Sequence, residues 1–146
     1  MVRIGILGGI GSGKSYVAKT FRFPVFNADK KVGRLYKKNK KIFKKLNKIL
    51  PKHFHSFPIN KKEITKAILA NPKNFKKIIK IIHLEVRKEM NHFLKKNKKK
   101  KIVILDVPLL LENKINRKKD ILIFVQSKKK EVIKRLKKRK NFNQKL

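Results

Sequence analysis

A glycine-rich segment near the N-terminus carries the clearest chemistry in the sequence. Residues Gly8–Ser15 read G-G-I-G-S-G-K-S and match the phosphate-loop pattern G-x-x-x-x-G-K-[S/T] at every fixed position. Glycines let consecutive backbone N–H groups turn towards an anion, and a following helix N-terminus adds partial positive charge. Lys14 would bridge the β- and γ-phosphates of a nucleoside triphosphate, and the Ser15 hydroxyl would ligate Mg²⁺. The predicted nucleotide-binding residues of this segment are Gly9, Ile10, Gly11, Ser12, Gly13, Lys14 and Ser15.

The sequence on either side of the loop supports this interpretation. Residues Val2–Leu7 are mostly apolar and predict a buried strand, and Ser15–Phe21 can continue as a helix. A glycine-rich turn without function is the alternative, but a strand before the loop and a helix after it favour phosphate binding.

Two aspartates follow two other predicted strands. Asp29 comes shortly after the apolar and aromatic run Phe23–Phe26, and Asp106 directly follows the apolar run Ile102–Leu105. Ligands of open parallel sheets bind at the carboxyl ends of the strands, so both aspartates are expected to converge on the nucleotide. Asp106 can bind Mg²⁺ through water or hold the side chains of Lys14 and Ser15 in position. The alternative is that its carboxylate has only a structural role.

The remaining pattern alternates predicted strands with predicted helices. Lys30–Leu50 shows helical periodicity, Asn60 opens a capping box, and Ile121–Val125 predicts another buried strand. Two histidines in the loop 53–58 have no local cysteine or carboxylate, so aromatic packing is favoured over a metal site. The order of elements predicts one α/β domain with a mostly parallel sheet, helices on both faces and a helical insertion at about 51–97. Lys128–Arg139 predicts a further helix, and Asn141–Leu146 is polar.

The composition is strongly basic, with 44 Lys and Arg against 8 Asp and Glu and a formal net charge of +36. Only seven of the 44 are arginine, and the 37 lysines are spread over the whole chain with few aromatic residues between them. An AT-rich genome explains this bias better than a nucleic-acid site, so no specific nucleic-acid partner is predicted. Without cysteines, a signal segment or a long apolar run, the chain is predicted to be cytoplasmic and not membrane-bound.

Several segments together resemble the dephospho-CoA kinase family. The loop is similar to the family's G-G-I-G-S-G-K-S, Asn27–Asp29 to its D-A-D, and His83–Arg87 to its H-P-x-[IV]-R helix. Residues 105–112 (L-D-V-P-L-L-L-E) are similar to the family's D-x-P-L-L-[FL]-E segment, and Arg135–Arg139 to the R-x-x-x-R of its lid. The similarity runs in order from Val2 to about Arg139. Many ATPases share the loop, but the combination of the loop with the other segments is typical of far fewer proteins.

The resemblance implies a three-layer P-loop NTPase fold and ATP-dependent phosphorylation of the ribose 3′-hydroxyl of dephospho-CoA, giving coenzyme A. It implies ATP, Mg²⁺ and dephospho-CoA as the small-molecule ligands. Phosphoryl transfer needs positioning and charge neutralisation more than covalent chemistry. The predicted roles are catalytic for Lys14, Asp29 and Arg139, nucleotide binding for Arg135, acceptor binding for Asp29, His83, Arg87 and Asp106, and metal binding for Ser15 and Asp106.

Simpler explanations exist for some of these residues. Asp29 can orient the attacking hydroxyl or accept its proton, but it can also cap the helix that begins at Lys30. His83 and Arg87 are one turn apart and can grip the acceptor together, although a half-buried helix histidine explains His83 equally well. Glu112 is expected to be structural.

The sequence also departs from the family pattern. Asn27 replaces the first aspartate of D-A-D, Leu84 replaces a proline, and Val132 stands where glutamine is common. The family's last strand and closing helix have no counterpart here, which implies a partial lid at about 128–146 and an uncovered edge strand at Ile121–Val125. The expected explanation is a truncated sequence or a shortened form of the protein. Two alternative functions also stay open: another small-molecule kinase of the nucleoside monophosphate kinase type, and a non-catalytic nucleotide-binding or nucleic-acid-binding P-loop protein.

Overall fold

The computed structural model describes residues 1–107 and 116–138. The described residues form four strands and six helices, with four successive helices between the second and third strands. In chain order they are β1 (Val2–Leu7), α1 (Lys14–Thr20), β2 (Val25–Asn27), α2 (Ala28–Lys38), α3 (Lys40–Ile49), α4 (Lys61–Ala70), α5 (Pro72–Lys96), β3 (Ile102–Asp106), β4 (Ile121–Phe124) and α6 (Lys129–Lys137).

The chain divides into two compact units. One consists of Met1–Asn27 and the described residues from Lys96 onward, and it contains the four described strands with α1 and α6. The other, Ala28–Lys95, is helical. The helical unit thus begins upstream of residue 51, where the sequence predicts the start of an insertion.

The four strands form one parallel sheet in the order β2-β3-β1-β4. β1 and β3 are central and almost continuously apolar, as strands covered on both faces are. Their buried residues Ile4, Ile6 and Ile104 pack with Ala18 of α1 to form the core of this unit. The predicted α/β class with a parallel sheet is therefore confirmed.

The edge strand β4 differs from its prediction. The sequence predicts a buried strand at 121–125, but Ile121 and Phe124 are exposed by 51% and 67%. β4 pairs with β1 along one edge, and no described strand pairs with its other edge. An apolar run alone does not distinguish a central strand from an edge strand, which is why the predicted burial is wrong.

The helical unit shows how side-chain caps set helix boundaries. The single helix predicted over 30–50 is two helices, because the side chain of Asn39 accepts a hydrogen bond from Ile42 N at 3.2 Å and starts α3. The capping box of Asn60 and Glu63 is confirmed at the start of α4.

Every fourth residue of α5 from Ile78 to Leu94 is buried. None of the described helices is long and apolar enough to cross a membrane.

Candidate active site

The glycine-rich loop connects β1 to α1 in a conformation that requires glycine. Gly8, Gly11 and Gly13 have φ angles of 141°, 77° and 95°, which side chains rarely adopt. A Cβ atom at Gly8 would also collide with the backbone carbonyl of Val125. The predicted strand, loop and helix are therefore present, with the loop at the carboxyl end of a central strand.

Lys14 folds back over this loop. Its Nζ atom donates hydrogen bonds to the carbonyl oxygens of Gly8 and Gly9, both at 2.8 Å. The ammonium group thus lies at the loop itself, where it can exchange backbone carbonyls for phosphate oxygens of a bound nucleotide. This position fits the predicted phosphate contact.

Ser15, Asn27 and Asp106 form a hydrogen-bonded group beside the loop. The Ser15 hydroxyl donates to Asp106 Oδ2 at 2.6 Å, and Asn27 Nδ2 donates to the same oxygen. β2 and β3 bring Asn27 and Asp106 side by side, since these residues are register partners at the ends of two parallel strands. The carboxylate of Asp106 is buried, with 3% of the residue exposed. The structure therefore brings Ser15 and Asp106 together.

This group fits a Mg²⁺ ion. Mg²⁺ takes oxygen ligands and is usually held by one or two protein groups together with waters and substrate phosphates. Because the Ser15 hydroxyl donates its hydrogen bond to Asp106, the lone pairs of its oxygen can face a cation. No cluster of three or more His, Cys, Asp or Glu side chains exists within 1–107 and 116–138 that would make a fully protein-coordinated metal site. The donors present are those of a site completed by nucleotide phosphates.

Asn27 is a site residue that sequence reasoning did not assign. Its Nδ2 contacts Asp106 and reaches Ser15 Oγ at 3.3 Å. An aspartate at this position would have no proton to donate and would place a second negative charge beside Asp106. The amide of Asn27 is therefore suited to contact the Asp106 carboxylate. The asparagine in place of the first aspartate of D-A-D was the sequence signal that could have identified this residue.

Asp29 belongs to the helical unit. It is exposed and is the second residue of α2, which begins at Ala28. The alternative that Asp29 caps a helix beginning at Lys30 is therefore wrong, although its charge in the first turn favours the helix. The predicted role in orienting the acceptor stays a prediction, as do the acceptor contacts of His83 and Arg87.

Arg135 lies on the outer side of the loop. Its Nη1 atom donates to the carbonyl oxygens of Gly11 and Ser12, both at 3.3 Å, and to Ser127 Oγ at 3.2 Å. Ser127 was not predicted, because a single serine after a strand gives no sequence signal. Arg139 and Glu112 lie outside the described residues, so their predicted roles remain predictions.

His83 and Arg87 share one face of α5, one helical turn apart. Burial lowers the pKa of His83 below its ordinary value of 6.5, and the positive charge of Arg87 lowers it further. His83 is therefore expected to be neutral at pH 7 and able to accept or donate one hydrogen bond.

Arg87→Gln should raise the pKa of His83. The substitution removes the nearby positive charge, but burial is the larger cause, so the pKa should stay below 6.5. Proton NMR titration of the imidazole resonances measures this directly. A matched control is Arg34→Gln in α2, which removes a charge that does not contribute to the His83 shift. An unchanged His83 pKa in Arg87→Gln would contradict the described geometry of α5.

The parallel sheet, the glycine-rich loop after β1 and the Lys14 and Ser15 contacts define a protein of the P-loop NTPase class. The chain belongs to the dephospho-CoA kinase family, because the family model matches residues 2–145. This result confirms the resemblance given by the sequence motifs.

Individual relatives agree with the family match. A dephospho-CoA kinase from Wolbachia pipientis wMel is 38% identical over 129 residues, which cover 85% of this chain and 66% of the relative. One from Zymomonas mobilis is 32% identical over 130 residues, covering 87% of this chain and 66% of the relative. The crystal structure of TT1252 from Thermus thermophilus matches with a TM-score of 0.79 and 26% identity, covering 97% of this chain and 74% of that one. The chain thus spans slightly less than two thirds of the length of these two curated relatives.

Proposed function

We propose that this protein transfers the γ-phosphoryl group of ATP to the ribose 3′-hydroxyl of dephospho-CoA, which gives coenzyme A. The observation that carries the proposal is the Ser15–Asp106 hydrogen bond beside the phosphate loop, in a chain of the dephospho-CoA kinase family. Both substrates are small anionic molecules, and the net charge of +36 favours their approach at low salt.

The loop supplies most of the positioning that phosphoryl transfer needs. The backbone N–H groups of Gly11–Ser15 hold the phosphates, and the Lys14 ammonium leaves the carbonyls of Gly8 and Gly9 to neutralise charge that develops on the transferred group. A Mg²⁺ ion bound by Ser15 and Asp106 would supply charge neutralisation at the β- and γ-phosphates. Asn27 holds the Asp106 carboxylate in place through its hydrogen bond, and the Ser15 oxygen would be available to bind the cation.

The acceptor side of the proposal rests on charged residues of the family motifs. Asp29 orients the 3′-hydroxyl or accepts its proton, and a carboxylate suits this task because it accepts a hydrogen bond from an alcohol. Arg87 and His83 bind the acceptor through its phosphates or ribose. Arg139 stabilises the transferring group, since a guanidinium can bind two phosphate oxygens at once.

The proposal is tested by measuring ADP release with Mg²⁺, ATP and each of three acceptors: dephospho-CoA, AMP and shikimate. Dephospho-CoA is expected to stimulate ADP release, with no stimulation by the other two. Asp29→Asn should lower kcat by about 10²–10⁴-fold, as expected when a general base is removed, and change the Kd of ATP little. Stimulation by AMP or shikimate alone would favour another small-molecule kinase. Salt-sensitive DNA binding without any ADP release would instead favour a non-catalytic P-loop protein.

A further inference from the structure

Helix α6 packs directly against the outside of the phosphate loop. A Cβ atom placed on Gly11 would lie 3.0 Å from Val132 Cγ1 and 3.2 Å from Leu136 Cγ. Two apolar side chains of α6 therefore touch the loop backbone where it has no side chain of its own. A side chain at Gly11 would therefore displace either the loop or these two residues of α6.

Ser127 adds a polar connection at the same place. It lies in the segment between β4 and α6, where its hydroxyl donates to the Ser12 carbonyl at 2.7 Å and accepts from Arg135 Nη1 at 3.2 Å. Arg135 Nη1 also reaches the carbonyls of Gly11 and Ser12. Two successive loop carbonyls are thus held from one side by a serine and an arginine.

The distances indicate that Ser127 is the stronger part of this connection. Its bond to Ser12 has the usual length for a hydroxyl donor, whereas both bonds of Arg135 to the loop are 3.3 Å, beyond the usual N–H···O range. The guanidinium contributes a full positive charge, since arginine stays protonated. Ser127 therefore supplies the defined geometry, and Arg135 supplies the charge.

Donors on these carbonyls also act on the phosphate-binding side of the loop. The Gly11 carbonyl shares a peptide unit with the Ser12 N–H, and the Ser12 carbonyl shares one with the Gly13 N–H. A hydrogen bond to one end of a peptide group polarises the other end and strengthens it as a donor. Holding the carbonyls in advance also reduces the ordering that an anion must impose when it binds.

We propose that Ser127 is a positioning residue for phosphate binding: its hydroxyl, bonded to the Ser12 carbonyl and to Arg135, braces the loop from outside in its phosphate-receiving conformation. The nucleotide in this inference is that of the proposed kinase function, but the brace acts on any phosphate in the loop. Arg135 acts here through the loop backbone, in addition to the nucleotide contact predicted for it.

The test measures ATP affinity by calorimetric titration in the presence of Mg²⁺. Ser127→Ala is expected to weaken ATP binding about five- to tenfold, the effect of losing one well-formed hydrogen bond. Ser127→Thr keeps the hydroxyl and should restore the affinity to within about twofold of the unmodified chain, by the same reasoning. Ser56→Ala, at an exposed loop serine of the helical unit, is the matched control and should leave the affinity unchanged.

A double-mutant cycle separates a brace from general loss of structure. Because Ser127 and Arg135 act on the same carbonyl, Ser127→Ala combined with Arg135→Gln should weaken ATP binding by less than the product of the two single effects. Faster hydrogen exchange of the Ser12 and Gly13 amides in Ser127→Ala, without nucleotide, is the second expected readout. Multiplying effects of the two substitutions, or ATP affinity of Ser127→Ala equal to that of the unmodified chain, would overturn the inference.

The two proposals fail in different ways. If the chain binds ATP and the cycle behaves as expected but no coenzyme A forms, only the kinase function is wrong. If the unmodified chain does not bind ATP, both are wrong. If coenzyme A forms and Ser127→Ala binds ATP normally, only the brace is wrong.

Discussion

Gly8→Ala should abolish ATP binding and lower the free energy of unfolding by about 3 kcal/mol or more. Two effects add at this residue. A φ of 141° is strained for any residue with a Cβ atom, and that atom would collide with the Val125 carbonyl, which belongs to the backbone and cannot rotate away. The loop would have to move away from the segment after β4, which removes the conformation that receives phosphate. Urea denaturation and ATP titration measure the two effects separately.

Gly9→Ala is the matched control for stability. Nothing lies within 4 Å of a Cβ atom at Gly9, and its φ is outside the left-handed range. Its free energy of unfolding should therefore change by less than about 0.5 kcal/mol, as for an ordinary surface substitution. Equal destabilisation by Gly8→Ala and Gly9→Ala would show that the described loop conformation is wrong.

If the proposed function is right, Asp106→Asn should lower kcat by about 10²–10³-fold, because it removes the negative charge that would hold Mg²⁺ beside the phosphates. The melting temperature should not fall, since replacing a buried carboxylate by a neutral amide also removes its desolvation cost. In the same variant Mg²⁺ should strengthen ATP binding much less than in the unmodified protein. Thermal melts and ATP titrations with and without Mg²⁺ check these expectations.

Asp120→Asn provides a contrasting buried carboxylate. Asp120 forms an ion pair with Arg3 at 2.9 Å, and their side chains are only 4% and 5% exposed. Asp120 precedes β4 at the opposite ends of the parallel strands from Asp106. Breaking this buried pair should destabilise the fold by about 3–5 kcal/mol without changing the effect of Mg²⁺ on ATP binding. A reversed pattern, with Asp106→Asn unfolding the protein and Asp120→Asn abolishing the Mg²⁺ effect, would contradict the proposed metal-binding role of Asp106 and the structural role of Asp120.

Local patterns in the sequence were sufficient to predict the loop and the sheet. The glycines, Lys14 and Ser15 stand at fixed spacings that correspond to one backbone geometry, and the apolar runs before the loop and before Asp106 correspond to central parallel strands. The convergence of Ser15 and Asp106 follows from parallel strands ending at the same edge. These features depend on short segments and on a general rule of sheet topology.

The features that were missed depend on contacts between distant segments. Asn27 meets Asp106 through strand register, and Ser127 meets Ser12 across 115 residues of chain. Neither contact has a periodicity that marks it, and the departure from D-A-D at Asn27 marks that residue but not its partner. The predicted burial of the β4 side chains and the predicted single helix over 30–50 are wrong for a related reason. An apolar run does not show which segments cover it, and the cap at Asn39 outweighs a continuous helical pattern.

The position of the phosphate in the reaction product tests the central claim most directly. The product of Mg²⁺, ATP and dephospho-CoA is purified and examined by phosphorus NMR beside authentic coenzyme A, with Lys14→Ala as the inactive control. The proposed function predicts a new phosphomonoester on the ribose 3′-hydroxyl that is absent from the Lys14→Ala reaction. A phosphate at another position, or ADP formed without coenzyme A, would contradict it.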